Sequence, residues 1–203
     1  MNNIRKLTSL IKNGETRKAI TLLEEIQKET PCVRYAQARE KILLVEVSKE
    51  LNNTLPHFYL DAQMLGERLF EENALSTKEA VGVIFKAVET SLKEDRTRTF
   101  EKAGSYISKE YCNNQLSLEK VSEYVGVSQS SLTKLFRENT GMTPGDYLGR
   151  LRVEKSLEYL RKNLTIEETA LNSGFSSPET YIRIFKKIMG ITPGVWKRNN
   201  LFL

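Results

Sequence analysis

Apolar positions recur at helical spacing along almost the whole chain, and no stretch alternates with the period of two that marks a half-buried strand. Ile4, Leu7 and Ile11 form a first stripe, ended by Asn13-Gly14. Ala19, Leu22, Leu23 and Ile26 form a second, closed by Thr30-Pro31. From Tyr35 to Leu51 the set Ile42, Leu43, Val45, Val47 and Leu51 covers more than one face, which predicts a helix at the centre of its bundle. Leu55-Pro56 breaks it, and another helix follows over about 58–70. Ser76-Thr77-Lys78-Glu79 then reads as a capping box opening a helix through Val83, Ile84, Val88 and Leu92. The charged run 93–98 is compatible with a linker or a helix start. Phe100, Ala103, Tyr106, Ile107 and Tyr111 mark the helix beyond it, either separate from the preceding one or continuous with it. The pattern predicts an all-α protein, with a helical bundle over 1–95 and a second domain over 96–203.

The second domain is written twice. One copy runs from Gly126 through Ser128, Leu132 and Phe136 to Gly141 and Pro144; the other runs from Gly174 through Ser177, Tyr181 and Phe185 to Gly190 and Pro193. The first glycines lie 48 residues apart and the closing Gly and Pro pairs 49 apart, so the second copy carries one extra residue before its phenylalanine. A repeat of that length is one supersecondary unit used twice. Each copy opens with a short apolar helix, Leu118 to Val125 in one and Ile166 to Leu171 in the other, broken by a glycine that enters the left-handed region cheaply. Ser128, and Ser177 followed by Pro178, then cap a second helix. Two helices joined by a tight glycine-containing turn predict helix-turn-helix units over about 117–140 and 165–189, and the helix from about 143 to 162 joins them.

Residues from about 100 to 198 resemble the DNA-binding domain of AraC/XylS-type transcription regulators. The resemblance rests on the doubled unit and on the closing run Gly174-Phe175-Ser176, Tyr181-Ile182-Arg183-Ile184-Phe185-Lys186-Lys187, Gly190-Ile191-Thr192-Pro193 and Trp196-Lys197-Arg198. Ile182 stands where the family has an aromatic and Trp196 where it has tyrosine; both read as core substitutions. The resemblance implies double-stranded DNA as partner and two recognition helices entering successive major grooves.

On the first recognition helix, Leu132, Leu135 and Phe136 are spaced to face the core. Family position then assigns Ser130, Thr133 and Lys134 to the bases, with Gln129 and Arg137 nearer the phosphates. On the second, Tyr181, Ile184, Phe185 and Ile188 read as inward, while Pro178, Glu179, Thr180 and Arg183 occupy contact positions. Lys134 can reach guanine, and the Arg183 guanidinium can bind guanine bidentately. Glu179 either accepts from cytosine or is a first-turn charge favoured by the helix dipole. Lys186 and Lys187 read equally as phosphate contacts or a solvated face, and Arg150 and Arg152 as structural or phosphate-facing. Leu148, Leu151, Leu157, Tyr159 and Leu160 on the joining helix are expected to bridge the two units.

Charge sharpens this picture. Of the formal +5, residues 96–203 carry +6 and residues 1–95 carry −1, so the positive balance sits on the half with the repeat. Candidate chemistry is sparse. Cys32 and Cys112 lack metal-ligand spacing and read as reduced, partly buried thiols. The single histidine, His57, removes most triad and zinc arrangements. No nucleophile–base pair, phosphate-cradling loop or metal cluster is present, so neither enzymatic activity nor a cofactor is expected. No apolar run reaches the roughly 20 residues of a membrane span, and the expected location is cytoplasmic without membrane contact.

Residues 1–95 also resemble, more faintly, the helical region that precedes the DNA-binding domain in some longer regulators of this family. That leaves two organisations open, a short self-contained regulator or an output fragment of a larger sensor-regulator. Phe58, Tyr59, Met64 and Phe70 read as plain core or as the lining of an effector pocket. The function expected is a sequence-specific transcription regulator, an activator by resemblance. RNA polymerase is a further partner by resemblance, and a homodimer could form through 1–95. The alternative is a helical protein-interaction module.

Overall fold

The computed structural model describes residues 2–29, 33–55, 58, 60–71 and 75–200. Cys32, His57, Tyr59 and the breaks assigned to Thr30-Pro31 and Pro56 lie outside the described residues. Among those described, every regular element is a helix: α1 (Asn2–Lys12), α2 (Thr16–Lys28), α3 (Val33–Thr54), α4 (Ala62–Phe70), α5 (Thr77–Glu110), α6 (Leu118–Val125), α7 (Gln129–Thr140), α8 (Pro144–Arg161), α9 (Ile166–Asn172), α10 (Pro178–Met189) and α11 (Pro193–Asn200). The chain divides into two compact units, Met1–Thr97 and Arg98–Leu203.

The first unit is a bundle in which α3 packs against α1, α2 and α4. Its core holds Leu7, Ile11, Leu23, Leu44, Leu51, Leu69 and Ile84, all with 0% exposure. Leu44 takes the inward place on α3, and Ile42 points outward at 55% exposure. Leu92 is likewise turned outward, while its neighbour Ser91 is buried. The helix expected from about residue 58 starts at Ala62, because the Asp61 carboxylate accepts from the Gln63 and Met64 amides at 2.8 and 3.1 Å and caps it there. Phe58 is buried, whereas Met64 and Phe70 are exposed and outside the core, Phe70 lining an open groove of about 590 Å³ between α3 and α4. The capping box at Ser76 is present: the Ser76 amide donates to Glu79 at 2.8 Å, and the Glu79 amide returns to Ser76 Oγ at 3.3 Å.

The charged run 93–98 is neither linker nor helix start. It lies inside the continuous 34-residue α5, as its strong helix formers Lys, Glu and Arg permit.

The second unit has two cores. Ala103 and Ile107 from α5 join Leu116, Val121, Leu132 and Phe136 in one; Val153 and Leu160 from α8 join Ala170, Phe175, Tyr181, Phe185 and Trp196 in the other. Helix α8 serves both, with Leu148 and Leu151 against the first core and Leu157 and Leu160 in the second. Trp196 is a core residue, but Ile182 is not: at 37% exposure it occupies the outer face of α10, one residue past the inward Tyr181.

Candidate nucleic-acid interface

Both helix-turn-helix units are shaped by their caps. In the first, Ser117 Oγ accepts from the Lys120 amide to open α6, Gly126 ends it at φ 75°, and Ser128 Oγ accepts from the Ser131 amide to open α7. In the second, Thr165 and Glu168 form a capping box on α9, Gly174 turns at φ 81°, and Ser177 Oγ accepts from the Thr180 amide to open α10. Helices α7 and α10 are each 12 residues long and end on a left-handed glycine, Gly141 and Gly190. Thr143 Oγ1 then caps α8 by accepting from the Asp146 amide at 3.1 Å.

Counted from their caps, the two second helices present matching inner positions. Leu132, Leu135 and Phe136 are buried on α7; Tyr181 and Phe185 are buried and Ile184 half-buried on α10. Ile188, expected inward, is 36% exposed, because the last turn of α10 extends past the core. The Tyr181 hydroxyl donates to Ser156 Oγ at 3.0 Å, and Ser156 donates to the Val153 carbonyl at 2.6 Å, so the buried phenol has a partner. Burial pushes that phenol up to about 12.

The outer faces carry the candidate contacts. Gln129, Ser130, Lys134 and Arg137 are exposed on α7, with Thr133 half-buried. Two of the α7 hydroxyls are engaged locally: Thr133 donates to the Gln129 carbonyl at 2.8 Å, and the Ser130 and Ser128 hydroxyls lie 2.9 Å apart. On α10, Glu179, Arg183, Lys186 and Lys187 are exposed, and Pro178 and Thr180 half-buried. Ser177 donates to Thr180 Oγ1 at 3.2 Å. The Glu179 carboxyl is held below the usual range, first by its own backbone amide and then by the Ser177 hydroxyl, as befits a first-turn acid. Lys134 and Arg183 occupy the same position, six residues after their caps.

The joining helix separates its two arginines. Arg152 is structural: Nε donates to the Tyr111 carbonyl and Nη2 to the Asn113 carbonyl, both at 2.8 Å, and the guanidinium lies 5.7 Å from the Phe175 ring centre. Arg150 is exposed and paired with Glu154 at 3.1 Å. Cys112, expected to be partly buried, is exposed and unpaired, because it lies in the turn that follows the last residue of α5.

Periodicity did not single out Asp146. Its carboxylate lies 2.9 Å from Lys187 and accepts from Thr143 Oγ1 at 2.7 Å; the Thr143 bond and then the Lys187 bond hold it below the usual range. The place of Asp146 three residues after the Thr143 cap was a readable signal. Its ion pair with a lysine 41 residues away was not.

A structure built from two capped helix-turn-helix units on a shared central helix defines a DNA-binding regulator domain. Comparison with known proteins agrees: residues 121–199 match the family model described as "Helix-turn-helix domain". The chain is 32% identical over 88 residues to the "Probable transcription factor PqrA" of Proteus vulgaris, covering 43% of this chain and 72% of that protein. It is 32% identical over 85 residues to the "HTH-type transcriptional activator AarP" of Providencia stuartii, covering 41% of this chain and 63% of AarP, less than two thirds of that relative's length. Among solved structures, the C-terminal domain of AraT, a response regulator from Geobacillus stearothermophilus, is 30% identical and covers 51% of this chain and 86% of that one, with a TM-score of 0.49. The chain belongs to the AraC/XylS family of helix-turn-helix transcription regulators. Among the described residues no helix is long and apolar enough to cross a membrane.

Proposed function

We propose that this regulator is a sequence-specific activator that places α7 and α10 in successive major grooves on one side of a DNA duplex. One observation carries the reading: the same position of the two 12-residue second helices holds an exposed cation, Lys134 in one and Arg183 in the other. In this reading Arg183 binds guanine bidentately and Lys134 reaches guanine from the other half. Gln129, Arg137, Lys186 and Lys187 act on phosphates, with Ser130, Thr133, Pro178, Glu179 and Thr180 as the closer packing and polar contacts. Ser130, Thr133 and Thr180 spend hydroxyl contacts on their own caps and helices, so the base reading rests mainly on the two cations. The activator assignment is supported by the name of the relative AarP, and RNA polymerase is its natural second partner. Residues 1–95 form the regulatory region and the route to a homodimer, and 96–203 form the DNA reader.

The test is selection from random duplex DNA with the intact chain, Lys134→Ala and Arg183→Ala. We expect one motif with two half-sites about 34 Å, or one helical turn, apart. Each variant should relax one half-site at a cost of about 1–3 kcal/mol, with Arg183→Ala the larger. A pool without a motif, bound in a purely salt-dependent way, would sink the reading in favour of a non-specific or protein-interaction role.

A further inference from the structure

Between the two recognition helices lies a groove of about 640 Å³ within the second unit, lined by α7, the first turns of α8, and α10. Arg137, Arg150, Arg183 and Lys187 line it, and Asp146 is the one acid among its lining residues. Its floor on α8 is the strip of Gly145 and Gly149, four residues apart on one face, with Asp146 and Arg150 of the same helix flanking it. A Cβ on Gly149 would stand 3.4 Å from Ile184 Cγ2, which shows how closely α10 approaches there.

We propose that this groove seats the sugar-phosphate backbone of the duplex between the two half-sites, with Arg150 and Lys187 as its phosphate contacts and Asp146 limiting how strongly it holds them. The inference rests on the DNA reading above. Arg137 and Arg183 belong both to the groove and to the recognition helices, so a duplex engaged by both helices must pass over it. The stretch of B-DNA between successive major grooves presents a minor groove bordered by phosphates. The groove is cationic, has a glycine strip on its floor, and its charged lining residues are all exposed, which suits a polyanion read by charge and shape. Arg150 is available for it, since its pair with Glu154 joins two half-exposed groups and an exposed pair of that kind holds weakly. Lys187 pairs with Asp146 at 2.9 Å, which is also an exposed and weak pair. Asp146 itself lines the groove, however, so its negative charge opposes a phosphate there whether or not the pair holds. Asp146 thereby keeps the backbone term small and leaves discrimination to Lys134 and Arg183.

The experiment measures the affinity of the full chain for the selected duplex and for an unrelated duplex across a salt series, in the wild type, Arg150→Gln and Asp146→Asn. Both substituted residues, Arg150 and Asp146, are exposed, and matched helical circular dichroism checks that the variants fold. Arg150→Gln should weaken both duplexes by about fivefold at 0.15 M salt and lower the salt slope by about 0.9, the value of one phosphate contact. The selected motif should not change. Asp146→Asn should act oppositely, tightening both duplexes by a similar factor. Unchanged affinity and slope in Arg150→Gln overturn the groove assignment while the motif of the wild type stands. Loss of preference at one base position in Arg150→Gln also overturns it, by making Arg150 a base reader. Unchanged affinity in Asp146→Asn overturns the limiting role of the carboxylate. A wild type that binds neither duplex overturns the DNA reading and the groove with it.

Discussion

The two helix-turn-helix copies share a plan and differ in what encloses them. The first is closed by the end of α5, whose Phe100 meets Phe136 edge-on at 5.1 Å, and by Tyr147, which meets the same ring at 5.3 Å. The second is closed by the second half of α8 and by α11, through Trp196. The glycines between the paired helices show the consequence. Gly126 has φ 75° and open space where a Cβ would stand, whereas Gly174 has φ 81° and lies against the turn at Tyr111 and Cys112. The same letter in the repeat therefore does two jobs. In the first copy glycine only supplies a backbone conformation; in the second it also permits one element to touch another's backbone. Arg152 reinforces that same turn by donating to the Tyr111 and Asn113 carbonyls.

The sharpest way to break the equivalence is alanine at each glycine. In Gly126→Ala the cost is the left-handed backbone alone, about 1–2 kcal/mol. In Gly174→Ala the new Cβ would overlap the Tyr111 carbonyl oxygen and stand 2.8 Å from Cys112 Cα, and backbone cannot swing aside as a side chain can. A loss above about 4 kcal/mol is expected there, in the range reserved for severe strain or overpacking. Urea unfolding of the full chain measures both, and equal losses would show that the two turns are packed alike.

That asymmetry marks the limit of what the sequence makes legible. Caps and period are local, so Ser128, Ser177, Leu132, Phe136 and Phe185 could be placed from their neighbours alone. The doubled glycine-to-proline frame likewise located both units and the helix between them. The Asp61 cap was a local signal too, and it sets the start of α4 four residues later than the apolar pattern implied. What could not be read depends on elements distant in the chain. Arg152 finds carbonyls 41 and 39 residues away, and the Asp146–Lys187 pair spans 41. Ile182, Ile188 and Leu171 have apolar side chains at helical positions, yet they end up exposed, because a short helix offers its core only about one stripe. For α5, a run of charges reads as a linker by polarity and as helix by propensity. Among the described residues it is helix.

A smaller difference concerns how each second helix anchors itself. The inward position four residues after the cap is Leu132 in the first copy and Tyr181 in the second, both at 0% exposure. Leucine needs no polar partner, but the Tyr181 hydroxyl must have one and finds it in Ser156 at 3.0 Å. Tyr181→Phe keeps the ring and its packing on Phe175 and Phe185 while removing the bond. Because Ser156 still donates to the Val153 carbonyl, only one acceptor site is left bare. A loss of about 1 kcal/mol is expected in urea unfolding. A neutral or stabilised variant would show that the second core treats this position as apolar, as the first does.

The finest distinction lies at the first helix of each copy, and it responds to pH. Helix α9 opens with a full capping box: the Thr165 amide donates to Glu168 Oε2 at 2.9 Å, and the Glu168 amide donates to Thr165 Oγ1 at 3.1 Å. Helix α6 opens on Ser117 alone, since Lys120 occupies the place of the glutamate. The Thr165 amide first, and its hydroxyl second, hold the Glu168 carboxyl below its ordinary value of 4.5. A carboxyl lowered by folding adds stability that is present above its unfolded value and is lost as pH falls through its folded one. The wild type should therefore exceed Glu168→Gln in stability at pH 7, with the gap closing as pH falls below about 4.5. Comparing the two proteins at each pH cancels the titration of other carboxylates, including those of Glu79, Asp146 and Glu179, which are also lowered. Installing the same group in the first copy, Lys120→Glu, should create a pH-dependent gain of the same sign where none exists. A gap that stays constant with pH in Glu168→Gln would mean that the glutamate acts there through its shape rather than its charge.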